Sequence, residues 1–164
     1  KIFLRQTSSP FNLVDSAEAI IDASTLTGTF IFTQAVSGTY YLQIRQRNHL
    51  ETWSKSGGEF FSAANSNSYD FTTAASQAFG SNQVQIGSEF AIYAGDVAGG
   101  TTPEIYGYQD GTVDASDLSA IDNDAFNFAS GYIVTDVTGD GIADASDLSV
   151  TDNNASNFVS KVTP

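Results

Sequence analysis

The sequence predicts a mainly β chain with a small α part: an N-terminal antiparallel β-sandwich over residues 1–95, then a pair of loop–helix units over 96–164. Three observations predict this. Apolar residues alternate with period two through much of the first 95 residues, the mark of half-buried strands. A stretch at 110–130 recurs thirty residues later at 140–160, with 14 of its 21 positions identical. The charge also changes sharply along the chain, from −2 over 1–95 to −11 over 96–164.

The strands are justified in order. "KIFLRQ" alternates from the first residue, and "TGTFIFTQ" would place Phe30 and Phe32 on one face. "TYYLQIRQR" puts Tyr40, Leu42 and Ile44 on one side and Tyr41, Gln43 and Arg45 on the other. "NQVQIGSEFAIYAG" continues with Val84 and Ile86, then Phe90 and Ile92. Turn-forming "SGT", "SGG" and "NSNS" separate these runs, and "TTAASQAF" suits one short helical turn. Twelve Phe, seven Tyr and one Trp are enough to fill a core, so the chain is not a disordered one. No cysteine is present to staple it.

In the acidic part the apolar spacing becomes helical: Leu118, Ile121, Ala125 and Phe128, then Leu148, Thr151, Ala155 and Phe158. Each predicted helix follows an Asp-rich loop, where carboxylates favour the positive end of the helix dipole. Two units this small would bury little separately, so packing about a pseudo-two-fold is expected.

The loop "DVTGDGIADASD" carries aspartates at its places 1, 5, 9 and 12 and glycine at 6. Four close carboxylates repel unless a cation lies among them. The calcium loop of EF-hands uses oxygens at 1, 3, 5, 9 and 12, a carbonyl at 7 and glycine at 6. Those places are Asp136, Thr138, Asp140, Asp144 and Asp147, with the carbonyl of Ile142 and the turn at Gly141. An acidic solvated loop with an ordinary Asp-Gly turn is the bland alternative. The repeat argues against it, because Asp110, Thr112, Asp114 and Asp117 fall in the same register. Two Ca²⁺ ions are expected.

These paired "DG-x-x-D-A-S-D-L" loops, each followed by one helix, resemble the dockerin family of bacterial extracellular proteins. More widely the chain resembles secreted modules of Ignavibacteria and Bacteroidetes-type bacteria. In those, a carboxypeptidase-regulatory-like or Ig-like sandwich with the stretches found here at 40–54 and 69–80 leads into a dockerin-like pair. The resemblance implies Asp96 as the first ligand of the first loop, folding back across an insertion at 98–108. Two departures follow from it: Thr138 stands where the family has Asn, and an apolar strand that precedes "KIFLRQ" in similar modules is missing here. That loss implies an open sheet edge, which a strand from another copy would cover; "KIFLRQ" and "NFVSKVTP" are the candidate donors. The abrupt start inside an apolar alternation reads as a processed or excised product.

Function is narrowed by what the residues supply. The single His49, the absence of Cys and the lack of a nucleophile elbow or phosphate loop argue against an enzyme. Strong negative charge argues against nucleic acid as a partner, and no apolar run reaches the length of a membrane span. Low charge density with many Ser, Thr, Asn and Gly suits an extracellular or cell-surface protein. Glycans are expected, O-linked on runs such as "TSSP", "ANSNS" and "GGTTP" ahead of N-linked at the one sequon, Asn154. Trp53 reads as a core residue and Arg45 and Arg47 as partners of Glu51, Glu59 or the acidic half. Asp122, Asn123 and Asp124, with 152–154 in the second copy, read as helix caps ahead of an extra ion site. The expected role is a calcium-binding structural subunit of a filament, with other copies as partners; the alternative is a module that docks on a cohesin-like receptor.

Overall fold

The computed structural model describes residues 1–104 and 107–164; Ile105 and Tyr106, within the 98–108 insertion, lie outside the described residues. The chain is mainly β, with two helices and small antiparallel sheets. It divides into two compact units. One comprises Lys1–Arg45, Thr52–Ala91 and Val162–Pro164; the other comprises Gln46–Glu51 and Ile92–Lys161.

The first unit contains most of a five-stranded sheet. Its strands are β1 (Ile2–Gln6), β2 (Leu13–Ala17), β3 (Gly38–Gln46), β4 (His49–Trp53) and β5 (Glu59–Phe61). The order is β2-β1-β3-β4, with β5 also pairing β3. Alternation sets the faces. Leu4, opposite Leu42 across β1 and β3, joins Tyr40 in a core that also takes Ile2, Val14, Phe32, Phe61, Tyr69 and Phe71. Fully burying a side chain of this kind stabilises by about 1.5–3 kcal/mol. On the other face Tyr41 meets Phe11, Trp53 and Phe79 edge-to-face at ring separations of 5.9–6.0 Å. Trp53 is therefore a core residue, as its sequence context suggests. Two 3-10 turns (Ala75–Gln77 and Phe79–Ser81) occupy the "TTAASQAF" region. Strands β6 (Val84–Ile86) and β7 (Glu89–Ala91) form a separate two-stranded ribbon.

Two expectations need correction here. "TGTFIFTQ" forms no strand. Asp22 accepts from Ser24 N and Thr25 N to close a tight turn, and Asp15 accepts from Gln34 N and Ala35 N, which bends the segment at both ends. Phe32 still packs on the core, whereas Ile20, Ile31 and Val36 are 92, 75 and 70 % exposed. "KIFLRQ", proposed as a donor strand, is β1, and both its edges are already taken, by β2 and β3.

The second unit holds β8 (Gly99–Glu104), β9 (Gly107–Gln109), α1 (Ala115–Phe126) and α2 (Ala145–Ser156). The strands β8 and β9 pair antiparallel within the region of the 98–108 insertion. Each helix begins with a capping box, Asp114 with Asp117 and Asp144 with Asp147. The helices contact each other, and the copies exchange main-chain hydrogen bonds. Val113 N donates to Val159 O and Ala143 N to Ala129 O; Lys161 N donates to Gly111 O and Gly131 N to Gly141 O. Val159, Ser160 and Lys161 of "NFVSKVTP" take part in this exchange. Ile121 and Val97 pack with Val137 in one core, and Leu50 packs with Val113 and Val159 in another.

The helical faces end earlier than the apolar spacing suggests. Phe128 and Phe158 lie beyond the helices with φ of 54° and 53°, and are 87 and 88 % exposed. Asn127 and Asn157 are the C-caps, and the left-handed Phe128 and Phe158 that follow end each helix with the phenyl exposed.

Candidate metal centre

The two Asp-rich loops carry one hydrogen-bond design, and the first carries it across an insertion. In the second loop Asp147 Oδ1 accepts from Val137 N and Thr138 N, both at 2.8 Å, and Oδ2 accepts from Asp144 N at 2.9 Å. In the first, Asp117 Oδ1 accepts from Val97 N and Ala98 N at 2.7 and 2.8 Å, and Oδ2 from Asp114 N at 2.8 Å. Gly141 N donates to Asp136 Oδ2 at 3.2 Å, and Gly111 N donates to Asp96 Oδ2 at the same distance. Asp96 therefore folds back onto the loop and occupies the place Asp136 has in the second. The β8–β9 hairpin stands where the second loop has the single residue Gly139.

The remaining places match too. Asp110 accepts from Thr112 N and Asp140 from Ile142 N, each an Asx turn. Asp114 and Asp144 cap the helices through Ser116 N and Ser146 N. Thr112 and Ile142 form the bridges to Ser160 and Ser130. The second of these uses Gly141 O and Ala143 N, which leaves the Ile142 carbonyl out of the ladder. Thr138, at the third place, is exposed; its counterpart in the first loop is Ala98, which has no side-chain oxygen.

Charge is buried here. Asp117 and Asp147 are 0 % exposed, Asp96 1 % and Asp136 3 %. Burial, and next to it the Asp117 carboxylate, push Asp96 up to about 7. Burial raises Asp117 as well. Asp114 and Asp144 are lowered by the hydrogen bonds of Ser116 and Ser146. Among the described residues no three carboxylate or imidazole groups gather as a metal-binding cluster, because the buried oxygens turn toward backbone N–H groups. The donors are nevertheless all oxygen, the set a hard divalent cation takes, and the first loop buries two carboxylates, those of Asp96 and Asp117. The donor chemistry and charge fit Ca²⁺; the side-chain directions enclose no ion.

Sequence reasoning missed the tip of the β3–β4 hairpin. Arg47, 9 % exposed, places Nη2 3.5 Å from Asp136 Oδ2 and donates Nη1 to Ile133 O. Asn48 Nδ2 donates to Asp136 O. Gln109 Nε2 reaches the carbonyls of Gln46, His49 and Asp96. Only the pairing of Arg47 with the acidic half was foreseeable, from charge.

In each Asn/Asp triplet the third member reaches across to the other copy. Asp124 Oδ2 accepts from Thr135 Oγ1 at 2.6 Å, and Asn154 Nδ2 donates to Ala94 O at 2.7 Å. Each ties one copy's helix to the entry of the other copy's loop. The Asn154 amide nitrogen, the atom a glycan would take, is engaged in that bond.

No family model, curated protein or solved structure matches this chain.

Proposed function

We propose that this chain is a non-enzymatic, calcium-stabilised structural module of an extracellular assembly, its second unit a dockerin-like pair and its first a relative of Ig-like sandwiches. The observation that carries the reading is the duplicated hydrogen-bond set of the two loops, kept in register even where a hairpin interrupts one of them. Repetition of that kind points to a shared ligand. Asp96, Asp110, Asp114 and Asp117 would hold one Ca²⁺ with the Thr112 carbonyl; Asp136, Thr138, Asp140, Asp144, Asp147 and the Ile142 carbonyl would hold the other. Each ion would supply the positive charge that lets the two buried carboxylates of its loop coexist.

A structural role is supported by the apolar side chains at 20–36, which stand in water unless a neighbour covers them. A catalytic role finds little support in His49, which burial and then Arg47 push down to about 4, leaving it neutral and hydrogen-bonded to Gln46 and Asn48. No helix among the described residues is long and apolar enough to cross a membrane. Sedimentation of the protein with and without calcium tests the proposal: calcium-dependent self-association is expected, and a monomer at high concentration in calcium overturns it.

Docking on a receptor is the second reading, favoured by Phe128 and Phe158. A bulky residue at positive φ costs about 1–3 kcal/mol, and here the strain occurs twice at exposed phenyls.

A further inference from the structure

We infer that Arg47 is the built-in counter-ion of the second loop, holding the Asp136 carboxylate against a resident positive charge, so that calcium binds this loop in competition with the protein's own guanidinium. The inference rests on the calcium reading and concerns the regulation of that same site. Arg47 is fixed from three sides: Asp136 Oδ2 at 3.5 Å, the Ile133 carbonyl, and the Tyr132 ring, whose centroid lies 4.3 Å from the guanidinium carbon. Its neighbour Asn48 holds the main chain of Asp136 as well, so the contact is not a chance surface pair.

The first loop is built otherwise. Asp96 takes the place of Asp136 and likewise accepts from two main-chain N–H groups, those of Asp110 and Gly111 where Asp136 has Gly139 and Gly141, but among the described residues no guanidinium pairs with it. The base near that loop, Lys161, lays its methylenes over Gly111. Two loops with one hydrogen-bond set thus differ in their internal cation. The second is already neutralised in part and keeps its shape without an ion. The first depends on the bound ion for the same charge balance. A divalent ion entering the second loop meets a positive charge already on its first ligand, and must share that carboxylate or displace the guanidinium. The first loop therefore fills first, and the second responds only to higher calcium.

The test is a calcium titration of the wild-type chain, Arg47→Gln and Arg47→Lys, followed by the NMR amide signals of Gly111 and Gly141. Each of these amides donates to the first carboxylate of its own loop. Arg47→Gln should tighten calcium at the second loop by about tenfold, the scale on which one neighbouring charge moves a carboxylate's affinity for a proton. Arg47→Lys should stay near wild type, and the first loop should be unchanged in all three. In chelator Arg47→Gln should lower the melting point of the helices, and calcium should restore it. Unchanged or weaker calcium binding by Arg47→Gln overturns the inference while leaving the calcium reading intact. So does an Arg47→Lys variant as altered as the glutamine one, or a glutamine variant that fails to fold even in calcium. If neither loop of the wild-type chain responds to calcium, both readings fall together.

Discussion

Removing the Asp147 carboxylate should be among the most damaging single changes in the second unit. The residue is 0 % exposed and accepts from three main-chain N–H groups, those of Val137, Thr138 and Asp144. A buried donor left without an acceptor costs about 1–3 kcal/mol. Water entering the small space that Asp147→Ala leaves would recover some of this, so the three together give about 3–6 kcal/mol. That is a large part of the ~5–15 kcal/mol by which a domain is stable. Asp147→Asn keeps one acceptor oxygen for two donors but turns an amide N–H₂ toward Asp144 N, and should cost roughly half as much. Asp124→Ala, which loses one bond to Thr135 Oγ1, should cost about 1 kcal/mol. Urea unfolding in chelator measures these costs. Both helices lie in the second unit and Trp53 in the first, so helical circular dichroism and tryptophan fluorescence report the units separately. Calcium at about a hundred times its dissociation constant should then widen the gap between wild type and Asp147→Ala by roughly 2.7 kcal/mol, because only the wild type gains the ion. If Asp147→Ala and Asp124→Ala cost the same in chelator, the carboxylate is not what holds the loop. If the gap is the same with and without calcium, Asp147 is not a ligand.

Two further outcomes are expected. Thr151 is 0 % exposed with its hydroxyl unpartnered, at the place where the first copy has Ile121, so Thr151→Val should stabilise by about 1 kcal/mol in thermal melts; a loss would mean the hydroxyl has a partner. His49, pushed down to about 4 in the fold, takes up its proton in the unfolded chain at higher pH. Its contribution is therefore present above about 6.5 and is lost as pH falls toward 4, and melting curves of His49→Gln should show a weaker decline across that window.

The parts of this fold that were legible in sequence are those whose cause is local. β1, β3 and the β6–β7 ribbon follow from period-two patterning, and both helices follow from Asp caps and a repeated apolar spacing. The segment around Phe30 was misjudged because alternation gives a strand only where an edge can receive it, and two aspartates bend this one away. Phe128 and Phe158 fit the helical period, but each is itself the left-handed residue at which its helix ends. At the candidate site, aspartate spacing located the carboxylates, yet it could not show that their oxygens face N–H groups. Charge pointed Arg47 toward the acidic half without choosing Asp136, and Asn48 and Gln109 were hidden because they reach the loops through long-range contacts, which leave no periodic trace.

The β8–β9 hairpin changes what contiguity means for the first loop. Asp96 and Gly111 are joined by a hydrogen bond, and Gly99 pairs with Gln109 at the hairpin's base, so the chain leaves the loop and returns to it at neighbouring points. Closure is done by those ends, whatever length of polypeptide lies between them. The position thus works as a port: a guest segment whose termini sit about 5 Å apart, the spacing of paired strands, could be exchanged for the hairpin without moving a carboxylate. Search patterns that demand an unbroken dozen residues would pass over every loop of this kind.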